Sequence, residues 1–462
     1  DVPWIDHELT SDDPLLYAPR DNREVILTHM IEDIDEAIQY LPETEENPYR
    51  LTKWAALALK SRFCLHEGTF RKYHSGRMEF QGNDAEYYLN LAAEASREIM
   101  DSGRYHLYST GNPDEDSVRL FAKENADPNE YILARCYNRG VAVMHDASTY
   151  PVMASHGKAG FSKKMVDSYL MRDGSRFTDK EGWATMEYAD EVAGRDPRLA
   201  QTMRTPTYKM LDARIMSPVN FEQTVTGFQT IKFVMSSTAE AAHLSGDQST
   251  NDLPIFRYAE VLLNYAEAAW ELGRFDQSVA DKTINKLRDR SGVAHMVVAD
   301  INDDFDPNRD KGNAPWWTGN GGKFGNYNVD PVLWEIRRER QIELFGEGFA
   351  FYDIRRWAKA AYYVNRQPCG MWITATDNPY GTKGSKYSGS FVDYEEIQNA
   401  GKSVGENNST GSGWIYTYPS PLDAGGGWLD TYYLMMVPTK QIALNPQLSQ
   451  NPGYNELFGL GK

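Results

Sequence analysis

The chain has 462 residues, 41% apolar and 25% charged, enough for a large core or for several domains. A formal net charge of −18 argues against nucleic acid or an anionic membrane surface as partner, because both are bound by clustered Lys and Arg. No apolar run is long enough to span a bilayer, and three scattered cysteines, Cys64, Cys136 and Cys369, signal neither a disulfide framework nor a zinc site.

Arg23 to Leu41 sets Val25, Ile26, Met30, Ile34, Ala37, Ile38 and Leu41 at helical spacing, and Pro42 stops the helix. Thr52 to Glu67 is an Ala-rich amphipathic helix, with Gly68 expected at its C-terminal cap. Asp84 to Met100 is a third helix, ending near Gly103. Phe256–Leu272 and Asp276–Arg290 form a pair around Gly273, and Asp330–Leu344 and Phe349–Ala361 a pair around Gly346 and Gly348. The stretch Trp54 to Gly68 parallels Ala259 to Gly273. After the second copy, Gly273, Phe275 and Ala280 echo the joint of a tetratricopeptide repeat. The reading is one domain over residues 1–462. Its helical segments are at about 23–103, 256–291 and 330–361, and its loop-rich inserts at 137–252, 300–328 and 368–430. Loops this long are functional or disordered, and their many aromatics argue for order.

Three places carry chemistry. The first is Arg337, Arg338, Glu339, Arg340 and Glu343 on one helix flanked by Trp334 and Trp357. Glu339 and Glu343 as a glycosidase pair would sit one helical turn apart beside arginines that keep carboxyls ionised, so ion pairing along the helix face is the expectation. The second is the acidic turn Asp304, Asp306, Asn308 and Asp310, a weak Ca²⁺ candidate. Its Gly312 falls one place late for an EF-hand and no closing glutamate follows. No other cofactor is indicated. The third is the Gly/Asn-rich loop carrying Trp316, Trp317, Asn320 and Tyr327, where ring faces and amides suit sugar stacking and hydroxyl contacts. A further aromatic group, Trp414, Tyr416, Tyr418 and Trp428, suits either a ligand or a partner protein. No nucleophile elbow, P-loop or metalloprotease motif occurs.

The chain resembles the SusD/RagB family, the surface glycan-capture lipoproteins of Bacteroidetes. The resemblance is carried by Pro19-Arg-Asp-Asn-Arg-Glu-Val25 with Glu32–Ala37 and Leu41-Pro42, then by Leu51–Arg62. It continues through Met165–Tyr169 with Asp173-Gly174, Arg195-Asp-Pro-Arg198, Ile255–Leu263, Ile284–Arg290 and Trp334–Trp357. It closes on Val437-Pro438, Asn445-Pro446 and Gln450-Asn-Pro-Gly-Tyr454. These motifs run over nearly the whole chain in the family's order.

The resemblance implies a mainly α fold of tetratricopeptide-like repeats, the SusD-like fold, with a loop-rich irregular half. It implies a non-catalytic protein that binds an oligosaccharide or polysaccharide and delivers it to a SusC-like TonB-dependent transporter. Location at the outer membrane surface follows, with a lipid anchor on an N-terminal cysteine that this chain does not contain. The family's N-terminal region is also absent, which implies a shortened N-terminus and a glycan site lacking one part. In the middle loops, where relatives carry ring-stacking residues, Trp183, Tyr188 and Tyr208 are the candidates. The alternatives are peptide capture by the same fold and a repeat scaffold that binds proteins.

Overall fold

The computed structural model describes residues 2–153, 155–211, 219, 223–235, 246–310, 329–365, 368–374, 403–404, 412–416 and 425–459. Three long helices come first: α1 (Arg23–Tyr40), α2 (Lys53–His74) and α3 (Ala85–Asp101). Each starts where a polar side chain accepts a hydrogen bond from an otherwise orphaned amide, namely Asn22, Thr52 and Asp84. The loop-rich half follows with α4 (Asp116–Ala122), β1 (Tyr131–Arg135), α5 (Lys163–Ser168), α6 (Tyr188–Glu191) and α7 (Pro197–Thr202). Then come β2 (Leu253–Arg257), α8 (Tyr258–Glu271), α9 (Gln277–Lys282), α10 (Ile284–Ser291), α11 (Pro331–Glu343), α12 (Ala350–Arg356) and α13 (Ala360–Val364). Strands β3 (Cys369–Thr374), β4 (Ser403–Val404) and β5 (Ser412–Tyr416) precede the short α14 (Thr439–Leu444) and α15 (Tyr454–Leu457).

The mainly helical expectation holds, with four differences of detail. Gly68 is not a cap: α2 continues to His74, and Gly68 lies buried inside it. A Cβ there would stand 2.7 Å from Leu89 Cγ, so the missing side chain lets α2 and α3 pack closely. The stretch after Gly273 breaks at Thr283 into α9 and α10, and that after Gly348 breaks into α12 and α13 around Ala358, which has φ +53°. Phe256 and Arg257 belong to a strand rather than to the start of α8, because β2 pairs antiparallel with β1. Gly273, at φ +69°, makes the expected turn after α8, with Ala280 buried behind it.

Two hydrophobic cores are the largest among the described residues. One joins α2, α3, α8 and α10 through Leu57, Ile99, Leu262, Ala266 and Leu287, and takes Ile336 from α11. The other lies in the irregular half around Phe161, Tyr169, Phe228, Met371, Ile373 and Ile415, and takes Ile342 from α11. Helix α11 therefore belongs to both cores, and its charged residues lie at the seam.

These charges pair with other elements far more than along their own helix, which revises the helix-face expectation. Glu343 meets Arg198 of α7 at 3.0 Å, Arg257 of β2 at 2.8 Å and Arg290 of α10. Glu339 meets Arg198 at 2.6 Å and Arg288 at 3.1 Å, and Arg340 meets Asp353 at 2.8 Å. Arg338 holds Asp306 and, one turn back, Glu335. Arg337 lies over the Trp357 ring at 4.4 Å and 3.6 Å from Glu271. All five of these α11 side chains are buried, so an unpaired charge among them would be costly. Burial alone would push Glu343 up, yet Arg290, Arg257 and Arg198 hold it well below the usual carboxylate range. At Glu267 burial is likewise outweighed, by Arg356, Arg337 and Arg340, and its carboxyl is held down at about 2. A carboxylate lowered in this way contributes its full stability above the unfolded value of 4.5 and loses it as pH falls toward about 2.

Removing the Glu343 carboxylate would take one partner from each of three buried guanidinium groups, Arg198, Arg257 and Arg290, which keep Asp196 and Glu339, Glu130 and Glu347, and Glu130 respectively. Glu343→Ala is expected to lower the unfolding free energy by about 3–5 kcal/mol, measured by urea titration. A loss below about 1 kcal/mol, the scale of an exposed pair, would show that Glu343 does not join the two cores.

Candidate functional site

The small sheet β3–β5–β4 carries the site. Strand β5 pairs antiparallel with β3, setting Trp372 opposite Trp414 and Ile373 opposite Gly413. Side chains alternate across a strand, and they do so over Met371–Ile373 and Trp414–Tyr416, after a register shift that separates Cys369 from Trp372. Met371, Ile373 and Ile415 face the second core and are buried. Trp372, Trp414 and Tyr416 are half-buried on the other side. The Trp372 and Trp414 rings meet edge to face at 4.7 Å. Gly370 is required where β3 docks, because a Cβ there would lie 2.2 Å from the Thr226 carbonyl oxygen.

A single helical turn, Trp183–Thr185, brings a fourth aromatic to this face. Gly182 permits the turn with φ +71°. Trp414 Nε1 donates to the Ala184 carbonyl at 3.1 Å, and Trp183, Trp414 and Tyr416 pack around Ala184 and Cys369. Phe177 meets Trp183 edge-on at 6.5 Å. Beneath these rings lies the fully buried Lys163, with Nζ 5.7 Å from the Trp183 centroid and 2.7 Å from Glu191. Lys163 also meets Asp167 at 3.0 Å, and burial pushes that carboxyl up to about 6 against the pull of Lys163. Arg195 stacks over Phe177 at 3.8 Å while its guanidinium donates to the carbonyls of Val166, Tyr169 and Glu191. Phe177 and Trp183 are thus backed by fixed cations, which favours their orientation by cation–π attraction. Beyond the Phe177 turn opens a polar cleft of about 460 Å³ lined by Arg176, Asp179, Asp304, Trp334 and Glu335 among others.

The structure treats the sequence candidates differently. Trp183 stands in the aromatic face. Tyr188 does not: it is 1% exposed in the second core, and its hydroxyl donates to the Arg204 carbonyl. Its position on α6 points inward, so it supports the face from behind and offers no ligand surface. Tyr208 is half-buried, with the Arg204 guanidinium 5.5 Å from its ring, and burial pushes its hydroxyl up. Trp316, Trp317, Asn320 and Tyr327 lie outside the described residues, as does Tyr418. Trp428 belongs to a separate group with Tyr432 and Tyr433.

In the acidic turn, Asp304 is exposed, while Asp306 is buried and accepts from Trp334 Nε1 at 2.9 Å and from Arg338. Asp310 accepts from Arg309 at 2.8 Å and from the Asp306 amide at 2.8 Å. The protein's own cations and amides therefore occupy the carboxylates of Asp306 and Asp310, while Asp304 is exposed and Asn308 Oδ1 has no hydrogen-bond partner among the described residues. Among the described residues, no three His, Cys, Asp or Glu are placed to share a metal ion. Trp372 was missed by sequence reasoning. Its signal is the period-two pattern of Met371-Trp372-Ile373, which a helix-period reading passes over.

The sequence profile of the SusD family matches residues 129–454, most of the chain. This chain belongs to the SusD family. Solved structures with a similar fold agree. A SusD-like protein from Bacteroides fragilis is 21% identical with a TM-score of 0.64, over 98% of this chain and 75% of its own. A SusD-like carbohydrate-binding protein from the same species is 20% identical with a TM-score of 0.61, over 97% and 75%. A SusD superfamily protein from Parabacteroides distasonis is 21% identical with a TM-score of 0.52, over 98% and 74%. No curated protein matches.

Tyr188→Phe deletes one buried hydrogen bond and is expected to destabilise this SusD-family chain by about 1 kcal/mol in urea unfolding. It is expected to leave ligand affinity within about twofold. A variant of wild-type stability and much weaker ligand binding would put Tyr188 in the site.

Proposed function

We propose that this protein captures an oligosaccharide or polysaccharide at the cell surface and hands it to a SusC-like TonB-dependent transporter, without catalysing a reaction. The half-buried face of Trp183, Trp372, Trp414 and Tyr416 on a SusD-family fold is the observation that carries the reading. Sugar rings offer C–H faces that pack on flat aromatic surfaces, and the ring edges leave hydroxyls free for polar neighbours. Arg176 and Asp179, on the turn that carries Phe177, are polar groups proposed to serve as such neighbours. The similarity to a carbohydrate-binding relative supports the same ligand class.

A net charge of −18 favours a neutral glycan over a polyuronate. Glu339 and Glu343 are buried among arginines rather than set across a cleft, which fits binding better than hydrolysis. No helix among the described residues is long and apolar enough to cross a membrane. Attachment to the outer membrane through a lipidated cysteine upstream is part of the proposal and rests on the family resemblance.

Affinity gels cast with neutral glucans, mannans, xylans and a polyuronate test the reading, with reducing-sugar release assayed alongside. Retardation by a neutral glycan is expected, weakened at least about tenfold in Trp372→Ala/Trp414→Ala. Loss only in Trp316→Ala/Trp317→Ala would move the platform to that loop. Failure of every glycan to retard the protein would overturn the proposal, and sugar release would overturn its non-catalytic part.

A further inference from the structure

Beneath the aromatic face lies a cluster of charges that folding leaves incompletely matched. Lys163 and Asp167 stand one turn apart on α5, and Glu191 comes from α6. All three side chains are fully buried, and the Lys163 ammonium donates to Asp167 at 3.0 Å and to Glu191 at 2.7 Å. One ammonium thus serves two carboxylates. Among the described residues, Asp167 Oδ2 and Glu191 Oε2 have no hydrogen-bond partner. Arg195 brings a second cation, but it gives its hydrogen bonds to the carbonyls of Glu191, Val166 and Tyr169, and its Nε has no acceptor. A buried carboxylate oxygen without a donor is costly, and a proton on one of two neighbouring carboxylates removes a charge from that environment.

The remaining groups around the cluster do not supply the missing donor. Asp196, next to Arg195, is held by Arg198. Tyr188 of α6, Tyr169 after α5 and Cys369 of β3 are pushed up by burial and stay neutral. Phe177 and Trp183 offer only ring faces to Lys163, at 5.8 and 5.7 Å. Burial would pull the Lys163 ammonium down, yet Asp167 and Glu191 hold it above the ordinary lysine value, so the lysine keeps its proton. Asp167 can gain one: burial and Glu191 push it up to about 6 against Lys163 and Arg195. The sign is opposite to that at Glu267. Raised above its ordinary 3.8, this carboxyl contributes stability that is present below 3.8 and lost as pH rises through about 6.

We propose that Asp167, Lys163 and Glu191 form a proton-binding site that sets how firmly the aromatic face is held, and through it how tightly the face captures its ligand. With Asp167 ionised, the charges of Lys163, Arg195, Asp167 and Glu191 cancel. With Asp167 protonated, a net positive charge remains under the Phe177 and Trp183 rings and strengthens the cation–π attraction there. The face is therefore held more tightly in mildly acidic solution than above neutrality. The effect on capture rests on the reading of this face as the glycan surface, whereas the proton site does not.

Fluorine NMR of the protein labelled with fluorotryptophan tests the site with no ligand present. Trp183→Phe identifies the Trp183 resonance among those of the 11 tryptophans. That resonance is expected to move with a midpoint near pH 6 in the wild type and to stay still in Asp167→Asn. Glu191→Gln keeps the test open if Asp167→Asn does not fold: it removes the like charge and is expected to shift the midpoint to lower pH. Affinity gels then read the coupling. Retardation by the glycan is expected to be at least about threefold stronger at about pH 5 than at about pH 7.5 in the wild type, and the same at both in Asp167→Asn. The proton site is overturned by a Trp183 resonance that does not titrate in the wild type, by one that titrates unchanged in Asp167→Asn, or by a midpoint unmoved in Glu191→Gln. Capture independent of pH beside a titrating resonance would overturn the coupling. If no glycan binds at either pH while the resonance titrates, the glycan reading falls and the proton site stands.

Discussion

The Glu343 carboxylate joins elements that are far apart in sequence. Arg198 reaches it from the irregular half, Arg257 from the short strand ahead of α8, and Arg290 from α10. An ion pair this deeply buried does not make the fold more stable than a well-packed apolar seam would. What it does is specify. Apolar side chains would let α11 slide or rotate between two greasy surfaces. Three guanidinium forks around one carboxylate admit a single register.

That register positions the functional face. Ile336 and Ile342 lie on one helix but enter different cores, so fixing α11 fixes the irregular half against the helical repeats. Met371, Ile373 and Ile415 then bury one side of the small sheet against Ile342 and its neighbours. With that side committed, strand alternation leaves Trp372, Trp414 and Tyr416 no choice but the other. Lys163, Arg195 and the Gly182 turn bring Phe177 and Trp183 alongside. The aromatic face is thereby held in place before any ligand arrives, which spares the cost of ordering it on binding.

Much of this was legible in the sequence, for reasons that differ by residue. The long helices announced themselves because α1, α2, α3 and α8 are amphipathic or Ala-rich, and the first three begin at capping residues. The buried role of Arg337, Arg338, Glu339, Arg340 and Glu343 followed from charges flanked by tryptophans. Their true partners did not, since Arg198, Arg257 and Arg288 are distant in the chain and no local rule names them. Gly68 misled because glycine inside a helix and glycine after one look alike until the neighbouring helix is seen. Tyr188 misled because aromatics in loops serve cores as often as ligands. Trp372 escaped because a short strand is identified by its partner, and β5 begins about forty residues downstream.

The most direct test is the crystal structure of the protein with the glycan that retards it in gels, beside that of the free protein. The expected result is a sugar ring stacked on Trp372 and Trp414, with both rings and the Glu343 network placed as in the free protein. A glycan bound elsewhere with those rings bare, or a sheet assembled only when the glycan is present, would contradict a preformed aromatic face fixed through α11.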